Sequence, residues 1–236
     1  MAVRTATTRS ARSSRAGDGA ATPRPRPLVD VRVVLFAVSE GELQVACPAA
    51  TGEPALPRGE PTPSEPLDAS ASRIVREATG IQEHYLEQLY TLSVREPQDW
   101  SVIVSYMALV RPERSPPAVT GSVWLATADL SALSPADQMV VEYAVVRLRA
   151  KLGYTNIAFY LLPDRFTLSE LQETYETVLA RRLDKRNFRR RLIASGILVE
   201  TEEKRREGSH RPATLYRFRP TDDRETYLTP PWAGGA

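Results

Sequence analysis

The chain has 236 residues, 42% hydrophobic and 25% charged, the composition of a globular protein with room for two modest domains. Its single cysteine, Cys47, excludes a disulfide framework and a thiolate zinc site, and no apolar run approaches the ~18 residues of a membrane helix. The formal net charge of +2 hides a division. Residues 181–217 hold twelve Lys/Arg against five Asp/Glu and residues 1–27 six Arg against one Asp, which leaves −10 elsewhere. An acidic body with two basic ends predicts a polyanion-binding module joined to a domain with a different task.

Residues 1–27 are rich in Arg, Ser, Thr and Ala and end in Pro23-Arg24-Pro25-Arg26-Pro27, which reads as a disordered basic arm. A transit peptide is the competing reading, and without an apolar signal core the expected location is cytoplasmic. Residues 29–46 form two apolar runs around Ser39-Glu40-Gly41-Glu42, a hairpin signal. The Pro-, Gly- and Glu-rich stretch 48–66 is expected to be loop. Residues 67–79 are expected to be helical and to stop at Gly80.

Strands are expected over 86–94, 102–111 and 124–128, the second buried on both faces because VIVSYMALV is apolar throughout. Ser134 and Pro135 suit the N-cap and first position of a helix over 136–152. Its Met139, Val140, Tyr143, Ala144, Val146 and Leu148 cover much of the circumference, which predicts a helix wedged between two domains. A short apolar link over 159–163 and a helix over 167–179 follow.

Residues 183–218 carry the clearest function. Asp184 is a plausible N-cap, Phe188 and Leu192 at i and i+4 face a core, and Ser195-Gly196 ends the helix. That register turns Lys185, Arg186, Arg189 and Arg190 outward. Strands at 197–199 and 215–218 flank a polar turn bearing Lys204, Arg205, Arg206, His210 and Arg211. A helix followed by a basic ribbon is the plan of a winged helix-turn-helix, the helix entering the major groove and the wing meeting backbone or minor groove. Arg186, Asn187 and Arg190 are the candidates for base edges, Lys185, Arg189 and Arg191 for phosphates, and Lys204, His210 and Arg211 for the wing. Such a module usually reads two half-sites, so a homodimer on a palindromic double-stranded operator is expected, with the 136–152 helix and the N-terminal domain as candidate dimer surfaces.

Residues 59–81, GEPTPSEPLDASASRIVREATGI, resemble the Nudix box G-x5-E-x7-R-E-U-x-E-E-x-G-U without a gap. Gly59, Glu65, Arg73, Val75, Glu77, Gly80 and Ile81 match. Ile74 and Ala78 replace two of the three helix glutamates that gather divalent cations in that family, and one remaining carboxylate is a poor cage for magnesium. The resemblance therefore implies a pocket that holds a nucleotide without cutting it, with Arg58, Glu65, Arg73 and Glu77 as effector-binding candidates and no metal or other cofactor. Leu56-Pro57-Arg58-Gly59-Glu60 departs from the family's usual LPGGF loop.

Residues 28–220 as a whole are similar to the Nudix-related transcriptional regulators, the NrtR family. The resemblance rests most on DKRNFRR, on GILVET with EKR, RPA and LYRF, and on YTNIAFYLLPDRFTLSELQETYE before them. It implies an α+β chain. A Nudix-like α/β/α sandwich with a mixed sheet would occupy 28–134, a connecting helix 135–152, and a winged helix-turn-helix 153–220, followed by a tail over 221–236. It also implies a dimeric repressor of NAD-metabolism genes, not an enzyme, released from its operator by ADP-ribose or a related compound. Two alternatives remain open at this point: an active Nudix pyrophosphohydrolase with an accessory DNA-binding domain, and a constitutive DNA-binding repressor with no effector.

Overall fold

In the computed structural model the described residues are 27–48, 52–82, 84–95, 100–111, 122–206 and 212–219. The first half is a sheet in the order β4-β5-β1-β2-β6, built from β1 (Leu28–Ser39), β2 (Glu42–Pro48), β4 (Tyr85–Arg95), β5 (Trp100–Leu109) and β6 (Ser122–Ala126), with β3 (Arg58–Gly59) also paired to β1. β1 and β5 run parallel and the other pairs antiparallel, so the sheet is mixed. The β1–β2 hairpin closes at Ser39↔Glu42 with Glu40 at φ 53° and Gly41 at φ 76°. Positive φ at both central residues matches the strand twist and defines the tight turn expected from this tetrapeptide.

Strand alternation sends one set of side chains to each face. Val31, Val33, Leu35 and Ala37 of β1 and Val104, Tyr106 and Ala108 of β5 meet Ala71, Ile74 and Val75 of α1 (Leu67–Thr79). Val34 and Phe36 of β1 and Met107 and Leu109 of β5 meet α2 (Pro135–Leu152) on the other face, so the sheet is sandwiched between helices. Gly80 ends α1 in the left-handed region at φ 72°, and the Ser134 hydroxyl accepts the Asp137 N–H to cap α2.

The core continues from α2 into the C-terminal half. A 3-10 turn (Ile157–Leu161), α3 (Leu168–Leu179) and α4 (Lys185–Ala194) contribute Ile157, Leu161, Leu171, Tyr175, Phe188 and Leu192 to the same apolar cluster. Phe166 joins it just ahead of α3, and Leu198, Tyr216 and Phe218 of the ribbon β7 (Leu198–Arg205)–β8 (Ala213–Phe218) pack against it. A bridge between Phe166 and Tyr216 ties the ribbon to the start of the helices.

The structure corrects three expectations. Residues 58–59, inside the stretch expected to be loop, pair with β1 as β3. Only part of α2 is wedged: Val140, Val141, Ala144, Val145, Leu148 and Leu152 face inward, whereas Met139, Tyr143 and Val146 are 53%, 45% and 64% exposed. The helical repeat puts these three together on the side opposite the buried stripe, where Tyr143 stacks at a tilt on Tyr90 of the edge strand β4 at 4.3 Å. The ribbon strands are also longer than their apolar ends suggested, so Lys204 and Arg205 belong to β7 rather than to the turn. Cys47 is buried in β2, where burial and the charge of Asp137 push its thiol up to about 12. That suits an inert hydrophobe.

Candidate nucleic-acid interface and nucleotide pocket

α3 and α4 form the helix-turn-helix. Thr167 and Glu170 cap α3 reciprocally: the Thr167 hydroxyl accepts the Glu170 N–H at 3.1 Å and the Glu170 carboxylate accepts the Thr167 N–H at 2.7 Å. The chain then reverses after Ala180, which adopts φ 53°. Glu176 anchors this reversal, accepting from the Leu183 N–H at 2.9 Å, the Gln172 amide at 2.9 Å and the Arg182 guanidinium at 2.8 Å. Burial pushes its carboxyl up, but these donors outweigh that and hold it below the usual range. Glu176 was not singled out from sequence, because a glutamate on a helix has no pattern that announces a partner in the following loop.

Asp184 caps α4, accepting the Asn187 N–H at 2.7 Å. Phe188 and Leu192 are each 2% exposed, and the Phe188 ring meets Tyr175 edge-on with centroids 5.2 Å apart. With that stripe buried, Lys185, Arg186 and Arg190 stand exposed, while Asn187, Arg189 and Arg191 are half-buried. Arg190 donates through Nη2 to Asn187 Oδ1 at 2.8 Å, so two base-edge candidates touch each other. Arg189 donates to the Ser169 hydroxyl at 2.8 Å and leans on α3.

On the ribbon, Lys204 is exposed, whereas Arg205 turns back to the Glu170 carboxylate at 2.5 Å. Glu203 pairs with Arg165. His210 and Arg211 lie outside the described residues.

In the Nudix-like half, Glu65 Oε1 accepts from Arg73 Nη2 at 2.7 Å, Arg73 Nε at 3.0 Å and the Ser70 hydroxyl at 2.9 Å. The hydrogen bonds from Arg73 and then Ser70 hold the Glu65 carboxyl down at about 2. Arg73 also donates to the Glu60 carbonyl at 3.1 Å and meets Glu77 at 3.3 Å. Glu65 and Arg73 thus fasten the loop to α1. Glu77 is 60% exposed and Arg58 is exposed at the β3 edge.

Ile74, where the box calls for glutamate, is 3% exposed, and a Cβ on Gly59 would sit 3.3 Å from its Cγ1. Among the described residues no three His, Cys, Asp or Glu side chains are grouped to hold a metal ion. This donor set does not fit the divalent cations of the Nudix enzymes. A cleft of about 470 Å³, not foreseen from sequence, lies where α1, the end of β5 and the approach to α3 meet. Ser72, His84, Arg111, Tyr160 and Asp164 line it, and Arg111 pairs with Asp164 across it.

The family model for the NrtR DNA-binding winged helix domain matches residues 158–218. Over 208 residues the chain is 36% identical to the ADPR responsive transcriptional repressor NtrR of Acinetobacter baylyi, spanning 82% of this chain and 83% of that protein. The chain belongs to the NrtR family.

Among solved structures, Shewanella oneidensis NrtR complexed with a 27mer DNA is 30% identical with a TM-score of 0.73, over 81% of this chain and 93% of that one. A MutT/nudix family protein from Enterococcus faecalis, 21% identical with a TM-score of 0.64 over 83% and 89% of the two chains, shares the fold. The NrtR architecture is therefore a mixed-sheet Nudix-like half followed by a winged helix-turn-helix, as the residue pattern implied.

Proposed function

We propose that this NrtR-family chain is a DNA-binding transcriptional repressor whose Nudix-like half senses ADP-ribose, or a closely related nucleotide, without hydrolysing it. The observation that carries the reading is α4, which buries Phe188 and Leu192 and turns Lys185, Arg186 and Arg190 outward on a helix capped and braced for docking. Arg186, Asn187 and Arg190 meet base edges, while Lys185, Arg189, Arg191 and Lys204 meet phosphates, with His210 and Arg211 at the wing tip. The chain acts as a homodimer on a palindromic site, and on the family resemblance the genes it controls are those of NAD metabolism.

Three things support a sensor rather than an enzyme. Its relative in Acinetobacter baylyi is named as ADPR responsive. Glu77 is the one carboxylate kept at the box's three metal positions, and buried Ile74 occupies another. Water activation by metal is the step those carboxylates serve, and among the described residues no donor set is grouped for it. Arg58 and Glu77 are the exposed residues that meet the nucleotide, while the Glu65–Arg73 pair keeps the loop in place.

The test is fluorescence anisotropy on a duplex selected from a random pool, titrated with and without ADP-ribose. A palindromic duplex whose binding weakens with ADP-ribose is the expected outcome. Release of AMP from ADP-ribose with magnesium at ordinary enzyme rates would overturn the sensor assignment.

A further inference from the structure

The outward face of α4 is not wholly polar. Ile193 is 59% exposed, although it lies one position from buried Leu192 and in a helix otherwise dominated by arginine. At about 100° per residue, Arg186, Arg190 and Ile193 all fall within roughly 60° of the direction opposite the Phe188–Leu192 stripe. They form one ridge at i, i+4 and i+7. An apolar side chain flanked by Arg189 and Arg190 is poorly placed to seal a protein–protein contact, because burial there would strip both guanidiniums of water. The major groove offers a different partner: the thymine C5 methyl is its one apolar feature among hydrogen-bonding edges.

We infer that Ile193 is a specificity-determining residue that packs against a thymine C5 methyl in the operator, beside the base met by Arg190. The inference rests on the DNA-binding reading above. Three residues along a helix advance about 4.5 Å, close to the ~3.4 Å between successive bases, so the thymine lies about one base pair from the Arg190 contact. The Arg190–Asn187 hydrogen bond at 2.8 Å sets the direction of that guanidinium and so the register of the ridge. A three-residue ridge of two donors and one methyl-bearing side chain discriminates more sequences than arginines alone, since arginine pairs with guanine and tolerates other acceptors.

The experiment uses the full chain and the selected duplex, with each thymine and its symmetry mate in the other half-site replaced together by uracil, which deletes only the methyl. With uracil at the matching position of both half-sites the wild-type dimer should bind about fifteenfold more weakly, about fourfold for each of the two methyl groups buried. Ile193→Ala should bind the thymine duplex about as weakly as the wild type binds the uracil one, and should no longer distinguish the two. Because Ile193 is exposed, thermal unfolding of the variant should match the wild type.

If a duplex is selected but the wild type is indifferent to uracil everywhere, the Ile193 assignment fails and the DNA-binding reading stands. The same follows if Ile193→Ala keeps the wild-type thymine-to-uracil ratio. If no duplex is enriched, both fail together.

Discussion

Arg190 and Asn187 should act on DNA as one unit, and their truncation tests the recognition helix most directly. Arg190 is exposed, and Asn187 beside it is half-buried on the same side of α4. Replacing Arg190 by Ala removes its hydrogen bond to Asn187 Oδ1 and no core packing, so folding stability should change by less than about 0.5 kcal/mol. Affinity should fall by about 1–3 kcal/mol for each half-site, the range for a base contact by arginine, which is roughly 5- to 150-fold in Kd per contact.

Asn187→Ala should also weaken binding, in part because Arg190 loses the oxygen that aims it. The double variant should therefore lose less than the sum of the singles, with a coupling of about 0.5 kcal/mol or more. The assay is anisotropy on the selected duplex, with the four proteins titrated at one salt concentration because phosphate contacts make affinity salt-dependent. Additive losses would refute the coupled pair. An unchanged Kd for Arg190→Ala would remove that residue from the interface.

Two further outcomes concern the body of the molecule. Glu87 of β4 accepts from Lys151 of α2 at 2.7 Å, from Arg147 at 2.6 Å and from the Tyr85 hydroxyl at 2.9 Å, with Lys151 only 3% exposed. Glu87→Ala removes a carboxylate that Lys151 and Arg147 share and should lower unfolding free energy in urea by about 2 kcal/mol, the range for hydrogen bonds to a charged group; a loss below about 0.5 would refute the network. Burial pushes the Glu87 carboxyl up, but the bonds from Lys151, Arg147 and Tyr85 prevail and hold it below its ordinary 4.5. Its stabilisation is then complete above pH 4.5 and lost as pH falls through the lower folded value, and Glu87→Gln should flatten that acid limb. Ile74→Glu, which restores a residue of the Nudix box, should put a carboxylate into the core and lower Tm by several degrees; an unchanged Tm would show that position 74 can face solvent.

Local signals were legible in the chain and the structure follows them. The turn at Glu40–Gly41, the stop at Gly80, the caps at Ser134 and Asp184 and the buried Phe188–Leu192 pair each depend on residues within a few positions of one another. The same is true of the Nudix register, where the loss of carboxylates at Ile74 and Ala78 can be read directly. Nearest-neighbour chemistry suffices for such features, because a backbone angle or a capping bond is decided locally.

Tertiary structure decided what two distant residues do for each other. Met139, Tyr143 and Val146 are as apolar as their neighbours on α2, and only the position of the sheet shows which side is covered. Glu65 and Arg73 match a binding motif in sequence, yet in space each is the other's partner. Glu87 and Lys151, 64 residues apart, form an ion pair with a buried lysine and a half-buried glutamate that no periodicity announces. Which charge is neutralised and which faces outward depends on packing between elements, and the chain specifies that only once it has folded.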